Sequence, residues 1–204
     1  MNWIIAAIPD AVKILDLGCG NGRLARALAR AGRRVEYVGL DASAELIALA
    51  RAHLLDSHVR AEFQVADLAD PKWNRAFQIS AFDFVIALGV LHHLPGFALR
   101  ARVIADGARL LTSRGQILMT NWQFMNDARQ QKKIAPWSLV GMDARNLEAG
   151  DALVTWKRGG VGYRYCHFIT AAEIEKIAAQ CALRVARQFV SDRNLNLCSI
   201  LYSE

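Results

Sequence analysis

The chain has 204 residues, 53% of them hydrophobic, which excludes a disordered or low-complexity protein and suits one domain, residues 1–204, with a full core. No apolar run reaches the ~20 residues of a membrane-crossing helix, and the opening MNWIIAAIPD has neither a basic lead nor a small-residue cleavage site. The net charge of +6 leans towards an anionic partner such as RNA, or serves solubility alone, since its arginines and lysines are dispersed. The four cysteines, Cys19, Cys166, Cys181 and Cys198, form no C-x-x-C pair, so the sequence predicts reduced thiols in a cytoplasmic protein and no metal site.

Residues 1–10 read as a short helix with Trp3, Ile4 and Ile8 towards the core. VKILDLG is a strand, and GRLARALARAG a helix ending at Gly32. VEYVGLD is a second strand. SAELIALARAHLL is a helix with Ser43 as N-cap and Leu46, Ile47, Leu49 and Ala50 as its apolar positions. AEFQVADL and FDFVIALGV are further strands, the latter nearly all apolar, as a strand buried on both faces should be. A helix over FALRARVIADGARLL and a strand at QILMTNW complete a βαβα series. That series predicts a Rossmann-like, doubly wound, mainly parallel seven-stranded sheet.

The regularity breaks after Trp122. Residues 123–169 read as a substrate-side insertion ending in a hairpin around Gly159, Gly160 and Gly162. TAAEIEKIAAQC is a helix with a capping box, Thr170 and Glu173. LRVARQFV and LNLCSILYS close the chain, with an antiparallel strand at the C-terminal edge of the sheet.

Three glycines, Gly18, Gly20 and Gly22, follow the first strand in G-x-G-x-G spacing. A dinucleotide fingerprint needs G-x-G-x-x-G, and Arg23 stands in its third slot, which disfavours NAD. Asp16, Asp41 and Asp67 lie at three successive strand ends, where ligands of open α/β sheets sit. A carboxylate at Asp41 suits ribose hydroxyls, and one at Asp67 suits an adenine amine.

ILDLGCGNGRL and FDFVIALGVLHHLP resemble the first and fourth-strand motifs of class I S-adenosylmethionine-dependent methyltransferases, over Val12 to Trp122. The resemblance implies S-adenosyl-L-methionine as cofactor and S-adenosyl-L-homocysteine as product. It implies that Asp16, Gly18, Cys19, Gly20 and Asn21 lie along the methionine moiety. Asp41 with Ala42 would hold ribose, Asp67 with Leu68 adenine, and Leu88 would flank the cofactor. Cys19 reads as a small apolar filler.

LHHLPG, TNW (Thr120 to Trp122), RYCH (Arg164 to His167) and SDRNLN (Ser191 to Asn196) resemble the tRNA methyltransferases that esterify a carboxymethyl group on the wobble uridine. That likeness implies a tRNA substrate and a small zinc-binding activating partner. Its members carry an N-terminal helical segment over the cofactor, of which residues 1–11 resemble the end.

An ionised carboxylate acceptor needs no base but wants a cation to position it, and Arg164 or Arg193 is expected to supply it. A hydroxyl or amine acceptor wants a base instead, from His92, His93 or His167, whose alternative role is to fix backbone. His53 and His58 read as solvated. Trp137, with Lys132 and Lys133 beside it, suits a substrate lid, while Trp122 and Trp156 suit packing. A small-molecule O- or N-methyltransferase and a cofactor-binding regulator without catalysis remain the alternatives, with a dehydrogenase behind them.

Overall fold

The computed structural model describes residues 1–54, 59–156, 160 and 162–203, so His58 and Gly159 lie outside the described residues. Helix α1 (Asn2–Ala7) leads into β1 (Lys13–Leu17), α2 (Arg23–Arg30), β2 (Val35–Asp41), α3 (Ala44–His53), β3 (Val59–Val65) and β4 (Phe82–Leu88). Then come α4 (Phe97–Arg109), β5 (Leu111–Trp122), the short α5 (Ala128–Gln131), β6 (Ile134–Ala135), β7 (Asp151–Trp156) and β8 (Gly162–His167). Helix α6 (Ala171–Gln180), β9 (Leu183–Ser191) and β10 (Asn196–Ser203) finish the chain.

The main sheet runs β3-β2-β1-β4-β5-β10-β9. Neighbours from β3 to β5 are parallel, and β10 is antiparallel to both β5 and β9. The C-terminal strand thus lies one place in, and β9 forms the edge. Strand order reverses between β1 and β4, which pair Asp16 with Ile86. The loops leaving these two strands therefore diverge and open a crevice at their carboxyl ends.

Both faces of the sheet are covered, which is why β1 and β4 are apolar almost throughout. On one face Leu15, Leu17 and Val85 pack with Val103 and Ile104 of α4 and Ile174 and Ile177 of α6. On the other, Ile14 and Ile86 pack with Ile4 and Ile8 at the start of the chain, Leu24 and Leu28 of α2, and Ile47 of α3. Trp3 is only partly buried and meets Phe189 edge-on, with ring centroids 5.3 Å apart.

Local signals act as their chemistry requires. Helix α2 ends in a Schellman motif: Gly32 N–H bonds the Ala29 carbonyl and Arg33 N–H the Leu28 carbonyl, both at 3.0 Å, with Gly32 at φ +70°. Ser43 Oγ accepts from Leu46 N–H at 3.2 Å to cap α3. The apolar stripe on α3 is narrower than expected. Ile47 and Ala50 are buried, but Leu46 and Leu49 are 36% and 45% exposed, because the helix sits over the outer strands and seals only one seam. Thr170 caps α6 through Glu173 N–H at 3.1 Å, yet the Glu173 carboxylate does not complete a reciprocal box and turns to Arg100 and His167 instead.

The insertion carries the expected β7–β8 hairpin, and a third strand, β6, pairs with β7 through Ile134↔Val154 and Ala135↔Leu153. Two residues are too few for a sequence period, so β6 has no signature of its own. The inner face of the β7–β8 hairpin buries Ala152, Val154 and Cys166 against Phe124, just beyond β5. Among the described residues no helix is long and apolar enough to cross a membrane.

Candidate active site

The crevice holds a cleft of about 230 Å³ lined by Asp16, Gly18, Cys19, Gly20, Asn21, Arg23, Arg26 and Leu88, with Met1 and Leu24 at its walls. Gly18 has φ +70°, and a Cβ there would stand 2.6 Å from Val90 Cγ2. Side-chain-free backbone is therefore required where the loop passes the exit of β4. Gly20, at φ +55°, faces open space within 4 Å of where its Cβ would be, a cradle that any side chain would fill.

Asp16 is 2% exposed. Its Oδ2 accepts the Tyr37 hydroxyl, and its Oδ1 is buried without a protein partner. Burial drives its pKa up to about 7; the Tyr37 hydrogen bond opposes this, Asp41 adds to it, and Arg23 opposes it. Asp41 closes the glycine loop: Oδ2 accepts from Gly20 N–H at 2.8 Å and Oδ1 from Ser43 N–H at 2.9 Å. Each oxygen keeps a further lone pair. Asp67 is exposed, and its Oδ1 accepts from Ala69 N–H at 2.8 Å. Ala42 is exposed, whereas the Leu68 side chain is core, 5% exposed, leaving its backbone to the site. Cys19 is the small filler its position suggests: its thiol packs beside Gly39, and burial holds it protonated.

These residues suit S-adenosylmethionine. The orphaned Asp16 oxygen answers an ammonium group, the open face of Gly20 admits close approach, and the strand-end carboxylates offer acceptors for hydroxyls and an amine. Bound there, the cofactor supplies a methyl carbon on a sulfonium, open to in-line displacement. The chain's task is alignment and exclusion of water.

The exit of β4 turns through Leu91–His93. His92 is 4% exposed, and its Nδ1 accepts from Trp122 N–H at 3.4 Å. Its Nε2 must then carry the hydrogen. His93 Nδ1 lies 3.1 Å from the Tyr165 carbonyl oxygen, to which it can only donate, so its lone pair is on Nε2. The rings stand 4.2 Å apart in opposite tautomers. Burial holds both uncharged, His92 far below the usual histidine range; His93 and Arg164 lower His92 further, and Arg164 lowers His93.

Arg164 of β8 reaches over two indoles, 5.2 Å from the Trp122 centroid and 4.6 Å from that of Trp156. Its Nε is buried without a partner. Arg193 is placed differently. It is exposed in the β9–β10 turn, where Asp192, Arg193 and Asn194 have φ of 52°, 58° and 67°. Leu195 of that turn accepts from Gln123 N–H at 2.8 Å, which sets the turn beside the end of β5. Trp137 faces Tyr165 at 6.3 Å.

His167 is not available as a base. Its Nδ1 lies 2.6 Å from Asp151 Oδ1 and its Nε2 2.9 Å from Glu173 Oε2, so both ring nitrogens donate to carboxylates. Burial disfavours its charge, but these two carboxylates outweigh that and raise its pKa. Arg100, 1% exposed, bonds Glu148 at 2.6 Å, Glu173 at 2.8 Å and the Leu94 carbonyl at 3.0 Å. Tyr165 donates to Asp151 at 2.6 Å. The network ties the insertion to α4 and α6. Sequence reasoning missed Arg100, Glu148, Asp151 and Tyr165, because nothing local distinguishes them. Tyr37 was equally hidden, as an aromatic within a strand.

A doubly wound sheet with a glycine cleft and acidic strand ends defines a class I S-adenosylmethionine-dependent methyltransferase. Residues 14–115 match the family described as Methyltransferase domain, and the chain belongs to that family. It is 29% identical over 184 residues, 90% of its length, to a Ubiquinone biosynthesis O-methyltransferase from Thiobacillus denitrificans, of which it spans 69%. It spans about half of the Xanthomonas oryzae relatives of the same description. A SAM-dependent methyltransferase from Methanosarcina mazei shares its fold, with TM-score 0.74, 22% identity and coverage of 100% of this chain and 99% of that one. A Haloferax volcanii putative methyltransferase in complex with the Trm112 methyltransferase activator superposes with TM-score 0.68 and 16% identity, over 99% of this chain and 87% of that chain.

These relatives overturn the likeness to tRNA wobble-uridine methyltransferases, and the tRNA modification it implied. The segments that suggested it have structural work in this fold. His92 holds the backbone of Trp122, His167 joins the ionic network, and Asp192 to Asn194 form a tight hairpin turn.

Proposed function

We propose that this methyltransferase acts on a hydroxyl oxygen of a small molecule. The observation that carries the reading is the histidine pair. His93 presents an unprotonated Nε2 in a ring that burial keeps uncharged. A hydroxyl acceptor must lose its proton as the oxygen attacks, and His93 receives it. His92, with hydrogen on Nε2, donates to the acceptor and stiffens the turn. Arg164, with no carboxylate bonded to it among the described residues, stabilises the oxyanion as it forms. The relatives' description as O-methyltransferases supports oxygen as the acceptor atom.

In the same reading Asp16, Gly18, Cys19, Gly20 and Asn21 hold the amino-acid end of the cofactor. Asp41 and Ala42 take its ribose, Asp67 and Leu68 its adenine, and Leu88 flanks it. Arg193 is an outer contact at the rim. A small activating subunit fits the fold shared with the Haloferax volcanii protein.

The test offers methyl-labelled S-adenosylmethionine with hydroxylated, amino and carboxylated aromatic small molecules, and identifies products by mass spectrometry. A methyl ether is expected. Label carried only by nitrogen or by carboxylate would overturn the reading.

A further inference from the structure

We propose that Tyr37 is a positioning residue for the cofactor: its hydroxyl anchors one oxygen of Asp16, so that the other meets the ammonium group of S-adenosylmethionine. Tyr37 lies in the middle of β2 and is 1% exposed. It pairs in register with Ile14, two residues before Asp16 on the same face of β1. Gly39 is the residue opposite Asp16, and it has no side chain to stand between them. The Tyr37 ring is steadied by Phe63, centroids 5.8 Å apart, and its hydroxyl donates to Asp16 Oδ2.

That bond decides what Oδ1 can do. A carboxylate free to rotate could turn either oxygen inward. Held by Tyr37, it keeps Oδ1 without a protein partner, in a residue lining the cleft. A buried acceptor in that state is costly until a donor arrives. An ammonium group is the donor that recovers most, since the bond is charge-assisted at both ends.

The same bond sets the pH at which the site is ready. Among the described residues, Tyr37 and Asp41 of β2, Arg23 of α2 and Cys19 of the loop surround Asp16, Arg26 of α2 and Met1 line the same cleft, and β4 places Ile86 in register with it. Burial raises the Asp16 pKa to about 7 and Tyr37 lowers it, so removing the hydroxyl moves it higher. Binding an ammonium group requires the carboxylate, so the loss of Tyr37 should be felt most at neutral pH and fade in alkali.

The experiment titrates S-adenosylhomocysteine into wild type, Tyr37→Phe, Asp16→Asn and the double variant by calorimetry from pH 6 to 9. Ratios of variant to wild-type Kd cancel the ligand's own amine titration. Tyr37→Phe should weaken binding about 10-fold at pH 7, the size of one charge-assisted bond, and by less at pH 9, where the carboxylate is ionised with or without the tyrosine. On the Asp16→Asn background it should add nothing. A Tyr37→Phe effect absent altogether, or persisting on that background, overturns the proposal. The inference rests on assigning Asp16 to the ammonium group, which fails separately if Asp16→Asn alone binds like wild type.

Discussion

His167 donates to Glu173 across 2.9 Å, and this bond fastens the last strand of the insertion to the first turn of α6. With Asp151 on its other nitrogen, the ring is held as an imidazolium. Its charge therefore serves the attachment of the insertion, and the base in the proposed reaction falls to the histidine pair beyond β4.

Stability should follow that charge. The folded-state pKa of His167 is raised above the unfolded value, so its contribution is fully present below about pH 6.5 and fades as pH rises through the folded value. His167→Ala should cost about 3 kcal/mol at pH 6, the scale of breaking a buried ion pair. The difference between wild type and variant should shrink towards pH 9 in urea unfolding. A pH-independent difference would show the ring to be neutral in the folded protein.

Gly18 carries two constraints, and they are separable. Gly18→Ala should lose about 1–2 kcal/mol from the left-handed backbone alone, and more from the 2.6 Å approach to Val90. Val90→Gly in the same chain removes both Val90 Cγ2 and Val90 Cβ, which would stand 2.6 and 2.9 Å from the new methyl, and should recover the second loss and leave the first. Thermal unfolding of the single and double variants gives the two parts.

Asp41→Ala removes the acceptor for Gly20 N–H and for Ser43 N–H together with the carboxylate that we propose takes the ribose. S-adenosylhomocysteine affinity should fall between about 10- and 100-fold, the range for losing hydrogen bonds to a charged group. Asp41→Asn keeps an acceptor oxygen and should retain part of it. Equal affinity for wild type and Asp41→Ala in calorimetry would remove Asp41 from the cofactor site.

What the sequence made legible was local or periodic. The parallel strands, the glycine spacing, Ser43 and Thr170 as caps and the acidic strand ends all announce themselves within a few residues. The Arg100 network does not, because its partners Glu148 and Glu173 are 48 and 73 residues away. Leu46 and Leu49 satisfied the helical period but stay 36% and 45% exposed, since an edge helix has less core to cover. The acceptor was misread for a related reason. Short segments such as RYCH and SDRN answer to the packing of an insertion and a hairpin turn, so their likeness to another family's motifs says little about substrate.

The base assignment predicts the pH profile of catalysis. His93 acts when unprotonated, and burial holds its pKa below the ordinary histidine value of about 6.5. With S-adenosylmethionine saturating, so that Asp16 does not enter the profile, the ratio kcat/KM for the hydroxyl acceptor should thus be flat at neutral pH and fall only as acidity passes that lowered value. His93→Ala should cost about 100-fold or more in kcat, within the range for a general base, with cofactor affinity unchanged. Arg164→Ala should do two things at once. It should lower kcat/KM by removing the cation beside the oxyanion, and it should move the acid limb to higher pH, because the guanidinium charge helps hold His93 neutral. Steady-state rates from pH 5 to 9 read both effects. An acid limb that stays in place in Arg164→Ala would mean that another group titrates.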